Sequence, residues 1–319
     1  MAGSPMTHES PLSRRLEGIV VPLLTPFERA TLDVDLDALA VQVEFLIGAG
    51  VQGLITNAGA SEFYHLADAE RLTVAEHVVR QVAGRVPVLV GVGSSGTRQT
   101  ISFAKHAESV GADGVMLMAP YYGARPRAMV VNHFVATSDA VALPILLYDN
   151  PFATNVTFMP DDIVEIVSRA NVPWVKLTTK HVEHVPEIVA RIAGRAVVFE
   201  GFDLLAMFSM MNGAVGWVCT PANAFPEVCL KLWRLTRIER DFGAALAVHH
   251  SLLPLLTYIL NASGAYLAGL KEACTFQGRP MGSVRPAFRD LTEDERAEVA
   301  RMTGDLIGVG SETTVVAAG

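Results

Sequence analysis

One unit recurs eight times along the chain: a short apolar run, a turn, then an amphipathic helical stretch. The runs are Gly18–Leu23, Gly53–Thr56, Val88–Val90, Gly114–Met118, Ile145–Tyr148, Val172–Lys176, Val197–Phe199 and Ala214–Val218. Several are rich in Val, Ile and Leu without polar alternation, the pattern of parallel strands covered on both faces. Between them lie stretches of helical spacing, among them Asp37–Ala49, Asp68–Ala83, Thr97–Val110 and Pro160–Ala170, several opened by Asp, Thr or Pro. Eight such units, roughly thirty residues apart, predict a (β/α)8 TIM barrel rather than an open doubly wound sheet. The helical stretches Pro226–Arg237, Phe242–Asn261, Ala265–Cys274 and Glu293–Ile307 follow without another strand. The expected organisation is a barrel over 16–238 and a C-terminal helical domain over 239–310, with flexible tails at 1–15 and 311–319.

Composition narrows the function classes. Half of the 319 residues are hydrophobic, yet no continuous apolar span reads as long enough to cross a bilayer, so large buried sheets and subunit interfaces are expected. The formal charge of −8, without a Lys/Arg cluster, argues against nucleic acid as a partner. The three cysteines (Cys219, Cys229, Cys274) have no metal-like spacing, and Met1–Arg15 lacks the apolar core of a signal peptide. A reducing cytoplasm is the expected compartment.

In barrels of this kind chemistry sits at the C-terminal ends of the strands. That face is expected to carry Asn57–Glu62, Gly91–Ser95, Pro120–Gly123, Tyr148, Lys176 and Val218–Asn223. A lysine ending a buried strand is costly unless its charge is suppressed or used; by itself it more often snorkels to water. Flanked by Trp174, Val175 and Leu177, Lys176 would lose its water, which favours the neutral, nucleophilic amine. Such an amine attacks a ketone or aldehyde, and the resulting iminium is an electron sink for making or breaking an adjacent carbon–carbon bond. That chemistry needs a proton shuttle, and Tyr148 at the end of the neighbouring strand suits it without any metal.

Other motifs admit plainer explanations. Gly91-Val-Gly-Ser-Ser-Gly96 satisfies the G-x-G-x-x-G dinucleotide fingerprint, with Asp113 downstream, but it follows the third of eight units rather than the first strand of a Rossmann half. Glu62 is either an acid/base or, more commonly in a small-residue turn, a structural acceptor. The backbone N–H groups of the Ala58–Ser61 turn suit a substrate carboxylate. His181 and His184 share a helix face but show no third ligand, so they read as surface histidines.

With these residues assembled, the chain resembles the dihydrodipicolinate synthase / N-acetylneuraminate lyase family of class I, Schiff-base-forming aldolases, over about residues 16–310. The resemblance rests on Leu24-Thr-Pro-Phe27, Glu62-Phe-Tyr-His-Leu66, Pro120-Tyr-Tyr122, Leu147-Tyr-Asp-Asn-Pro151, Lys176-Leu-Thr-Thr179 and Gly216–Asn223. Leu270-Lys271, Gly278, Gly282 and Arg285-Pro286 resemble its closing signature, and the Tyr148-to-Lys176 spacing is the family's. The resemblance implies Lys176 as the Schiff-base lysine, Tyr148 as the proton relay and Tyr122 as a tyrosine inserted into a neighbouring subunit's relay. It implies substrate contacts at Gly59, Ala60, Ser61 and the main chain of Val218, and a 2-oxo acid such as pyruvate with an aldehyde or sugar-acid partner. No dissociable cofactor and a homo-oligomer, dimer or tetramer, are further implications.

Two departures redirect the substrate question. The family's paired hydroxyl residues are replaced by Gly59 and Ala60, and its loop arginine by Ala153. Lysine-biosynthetic 4-hydroxy-tetrahydrodipicolinate synthase and a catalytically impaired, carboxylate-binding or assembly barrel are therefore the alternatives to a Schiff-base lyase of other specificity.

Overall fold

Eight parallel strands close in chain order: β1 (Gly18–Pro22), β2 (Gly53–Thr56), β3 (Val88–Gly91), β4 (Gly114–Met118), β5 (Ile145–Asp149), β6 (Trp174–Leu177), β7 (Val197–Glu200) and β8 (Gly216–Val218), with β8 pairing back onto β1. The structure, a computed structural model, describes residues 16–123, 126–262 and 264–311. Of the tails expected at 1–15 and 311–319, Ser311 ends the last helix and the rest lie outside the described residues.

The strands begin or end within two residues of the expected runs. Val172 and Pro173 precede β6 because proline has no N–H for the ladder; its carbonyl instead accepts from the Val197 N–H at 3.0 Å. Around the barrel stand α1 (Leu36–Ala49), α2 (Asp68–Val82), α3 (Thr97–Ser109), α4 (Arg127–Ser138), a single-turn α5 (Pro151–Thr154), α6 (Pro160–Arg169), α7 (His184–Ile192), α8 (Ala206–Met211) and α9 (Pro226–Trp233). Local chemistry sets their ends. The Asp35 carboxylate caps α1 by accepting from the Ala38 N–H at 2.8 Å, and Gly50 closes that helix at φ 87°.

Strand alternation builds two apolar cores. Inside the barrel lie Val20, Ile55, Leu89, Met116, Leu146, Trp174 and Phe199, with Tyr148 and Val218 above them. The outward residues, such as Val21, Leu54, Leu147 and Val175, pack against the helices.

That outer core runs without a break into α10 (Phe242–Asn261), α11 (Tyr266–Phe276) and α12 (Glu293–Ser311). The C-terminal helices therefore share the barrel's core rather than forming one of their own. They are also fastened to the loops of the barrel mouth. The Arg285 guanidinium grips Glu70 with two bonds of 2.6 and 2.8 Å and donates to the Leu32 carbonyl, while Arg279 donates to the Asn223 carbonyl at 2.8 Å.

The expectation about membrane-length spans needs correction. By length and composition α10 is apolar enough to cross a bilayer. In the fold Val248, Leu252, Leu255, Leu256 and Ile259 on α10 are buried core residues, whereas Phe242, Leu246 and Leu260 on the same helix are exposed.

Candidate active site

Lys176 points into the barrel two residues above Trp174, because alternate β6 side chains face inward. It is only 5% exposed. Its register partner on β5 is Tyr148, and the Lys176 Nζ lies 3.9 Å from the centre of the Tyr148 ring. The Tyr148 hydroxyl accepts from Asn150 Nδ2 at 2.7 Å. On the other side Gly201 follows β7. A Cβ there would sit 2.3 Å from Lys176 Cε and 2.2 Å from Thr178 Oγ1, so the missing side chain clears the path that the lysine occupies.

Three carboxyls are buried at this end of strands five to seven, and one of them, Asp203, feels the Lys176 charge. Asp203 accepts from Trp217 Nε1 at 3.0 Å and from the Tyr266 hydroxyl. Burial pushes its pKa up to about 6, against the pull of those donors and of the Lys176 charge. Glu200 is pushed up to about 7 by burial. It accepts from Ser209 Oγ and from the N–H groups of Gly201 and Phe202 at 2.8 and 2.6 Å, which fixes the loop that makes room for Lys176. Asp149, at the end of β5, is also raised to about 7 by burial.

Lys176, Tyr148 and Asp203 open into a cavity of about 720 Å³ at the C-terminal mouth. Lys176, Tyr148, Asn150, Thr178, Lys180 and Asp203 are among its polar lining, and Tyr64, Phe152, Phe202, Leu260, Leu267 and Phe288 make much of its apolar wall. Helices α10 and α11 thus contribute directly to the site.

Gly59, Ala60 and Ala153 line the cavity as well. Ser61 does not. It is buried, its hydroxyl donates to the Leu23 carbonyl at 2.5 Å and accepts from the Ala58 N–H at 3.0 Å, and it holds the turn rather than facing a substrate. Val218 is buried in the inner core, and Thr220 rather than Val218 reaches the cavity wall. Tyr121 lines the cavity, whereas Tyr122 is 77% exposed and does not reach it within one chain.

Glu62 takes the structural role. It is fully buried and paired with Lys271 Nζ at 2.7 Å, and it accepts from the Arg285 N–H at 3.0 Å. The G-x-G-x-x-G loop is explained by packing. A Cβ on Gly91 would lie 2.0 Å from the Asn57 carbonyl oxygen, and the carbonyls of Gly91 and Gly93 both accept from the buried Arg71 guanidinium at 3.2 Å. His181 and His184 stack with ring centres 5.1 Å apart. The two do not share a helix face as expected: α7 begins at His184, and His181 lies in the preceding turn, where its Nδ1 is 2.8 Å from Glu183 Oε1.

Sequence reasoning missed Gly201, Asp203, Asn150 and Tyr266. A glycine and an acid directly after the seventh run were a usable signal, since residues ending barrel strands form the functional face. Asn150 stood inside a quoted motif with no role given to it. Tyr266 carried no signal, because only the packing of α11 brings it to Asp203.

The dihydrodipicolinate synthetase family profile matches residues 15–305. The 4-hydroxy-tetrahydrodipicolinate synthase of Cereibacter sphaeroides is 32% identical, over 89% of this chain and 96% of its own. The putative 2-dehydro-3-deoxy-D-gluconate aldolase YagE of Escherichia coli K12 is 30% identical, over 93% and 99%. Among solved structures, a putative dihydrodipicolinate synthetase from Pseudomonas aeruginosa superposes with a TM-score of 0.87 at 29% identity, covering 91% of this chain and 99% of that one. The complex of YagE with pyruvate gives 0.85 at 29% identity, covering 91% and 98%.

Proposed function

The chain belongs to the dihydrodipicolinate synthetase family, and on that footing we propose that Lys176 forms a Schiff base with pyruvate or a related 2-oxo acid and then adds or releases an aldehyde or sugar-acid partner. One observation carries the proposal: a lysine 5% exposed at the barrel mouth, its Nζ 3.9 Å from the ring of its register partner Tyr148. The pyruvate complex of YagE supports the choice of oxo acid.

In this mechanism the neutral amine attacks C2 of the oxo acid, and the carbinolamine loses water as the Tyr148 relay delivers a proton to the departing hydroxyl. The iminium draws electrons from C3, a C3 proton leaves, and the enamine attacks the aldehyde carbon. The new alkoxide takes a proton, and water hydrolyses the iminium to return free Lys176. Within the β2 turn the N–H groups of Ala58, Ser61, Glu62 and Phe63 are bonded internally. Among the described hydrogen bonds this leaves those of Gly59 and Ala60 to hold the oxo-acid carboxylate. Tyr122, exposed here, would complete the relay of a neighbouring subunit in a homo-oligomer.

Borohydride reduction in the presence of pyruvate, followed by mass spectrometry, tests the proposal. A single adduct on Lys176, absent from Lys176→Ala, is expected; no adduct with any 2-oxo acid would sink it. An adduct without turnover against any aldehyde would favour the impaired barrel instead. Ala153 in the cavity wall argues against the lysine-biosynthetic synthase, because the arginine that the resemblance places there is missing.

A further inference from the structure

Much of the cavity lining is apolar, and two aromatic pairs belong to it. Phe152 and Phe202 stack with ring centres 5.9 Å apart and planes at 28°. Tyr64 and Phe288 meet edge to face at 5.9 Å, and Leu260 and Leu267 line the same cavity. Phe152 is 57% exposed and Leu260 38%, so these side chains present apolar surface to the cavity rather than to the core. Ala153, beside Phe152, adds a methyl to the same wall. Among the described lining residues charge is confined to Lys176, Lys180 and Asp203. Lys176 is assigned to the covalent step, and Asp203 is bonded by Trp217 and Tyr266. Lys180 stands at the exposed rim with its Nζ 5.8 Å from the Phe152 ring centre, as part of the aromatic edge.

Resting on the Schiff-base reading above, we propose that this apolar lining binds an uncharged, ring-bearing aldehyde, held against the Phe152–Phe202 stack and Phe288. An aromatic ring matches walls whose own rings are offset-stacked and edge-on, whereas a free carboxylate or a polyol packed on those rings would exchange water for carbon and depend on Lys180 at the rim. The enamine C3 forms the bond to the aldehyde carbon, the carbonyl π pair takes up a proton, and hydrolysis of the iminium releases a 4-aryl-4-hydroxy-2-oxobutanoate. Loss of a C3 proton with the C4 hydroxyl, as water, gives the conjugated 4-aryl-2-oxobut-3-enoate. No oxidant or reductant is needed.

The experiment uses the full chain with pyruvate and, in parallel, benzaldehyde, glyceraldehyde and succinic semialdehyde. Pyruvate consumption and product mass are followed after borohydride trapping has been scored. We expect kcat/KM for benzaldehyde to exceed that for succinic semialdehyde by about tenfold or more. Phe202→Ala should raise the benzaldehyde KM by about tenfold, and Phe202→Leu, which keeps apolar volume, should recover part of it. Ala153→Arg should shift preference toward succinic semialdehyde by placing a cation in the wall. If the Lys176 adduct forms but the anionic or hydroxylated aldehyde is preferred, the apolar subsite is wrong and the Schiff-base reading stands. The subsite also fails if Phe202→Ala leaves the benzaldehyde KM where it was. Absence of the adduct would instead overturn the reading on which it rests.

Discussion

A methyl group on Gly201 would overlap Lys176 Cε at 2.3 Å and Thr178 Oγ1 at 2.2 Å, yet the loop around it is fixed by the Glu200 hydrogen bonds. Gly201→Ala should therefore displace the lysine more easily than the loop. We expect borohydride-trapped adduct to form at least about 100-fold more slowly, since an ångström of misplacement costs about that much. Circular dichroism should show the fold retained; an adduct rate equal to wild type would contradict the steric argument. The opposite change is available across the cavity. Gly59 has open space where its Cβ would lie, so Gly59→Thr with Ala60→Thr restores two hydroxyl donors. Hydrogen bonds to a charged group contribute about 1.5–3 kcal/mol each. A fall of about tenfold in the pyruvate KM is expected, and an unchanged KM would mean that the carboxylate binds elsewhere.

The turn after β2 shows how elements far apart in sequence build one face of the site. Glu62 sits at φ 55°, in the left-handed region that non-glycine residues seldom occupy. It is held there by Lys271 of α11 and by the Arg285 N–H, more than 200 residues away. That anchorage sets the position of Gly59 and Ala60 on one side of the turn and of Phe63 and Tyr64 on the other. Burial pulls the Lys271 pKa down, and the Glu62 charge opposes that shift. Removing one partner leaves a buried, unpaired charge, so Lys271→Met should cost about 3–5 kcal/mol of unfolding free energy in urea titration. Pairing it with Glu62→Gln should recover a large part. A double variant that lost the sum of the two single losses would show that the pair carries no coupling.

At the scale of the molecule, three buried carboxyls make stability depend on pH with an unusual sign. Asp149 and Glu200 are raised to about 7 and Asp203 to about 6, all chiefly by burial. Below about pH 4 these groups are protonated in both folded and unfolded chains, and their contribution is fully present. From about pH 4 up to about 7 for Asp149 and Glu200, and up to about 6 for Asp203, the unfolded chain loses the protons while the folded one keeps them, so stability falls as pH rises. Each group contributes at most about 1.4 kcal/mol per pH unit in that window. Glu200→Gln, which cannot ionise, should flatten the decline in denaturation midpoint between pH 5 and 7. A wild-type midpoint that rose through this window, unaffected by Glu200→Gln, would refute the assignment. The same scale explains α10, long and apolar enough for a membrane yet applied to the core through Val248, Leu252, Leu256 and Ile259.

The barrel was legible in the sequence because eight apolar runs roughly thirty residues apart, each followed by a helical stretch, fit a closed parallel sheet better than an open doubly wound one. Lys176 and Tyr148 were legible because strand ends in such a barrel converge on one mouth, and register then made them neighbours. Three features needed the folded chain. Ser61 looked like a substrate ligand, but the Leu23 carbonyl and Ala58 N–H take its hydroxyl. Glu62 could have been an acid/base until Lys271 arrived from α11. The aromatic lining comes from four separate segments, and Phe288 belongs, with Leu260 of the same cavity, to the C-terminal helical part of the chain. Periodicity is a local property that side-chain alternation writes into the sequence. Which group satisfies a buried polar atom, and which surfaces enclose a cavity, depends on contacts across hundreds of residues, and those were decided only by the tertiary structure.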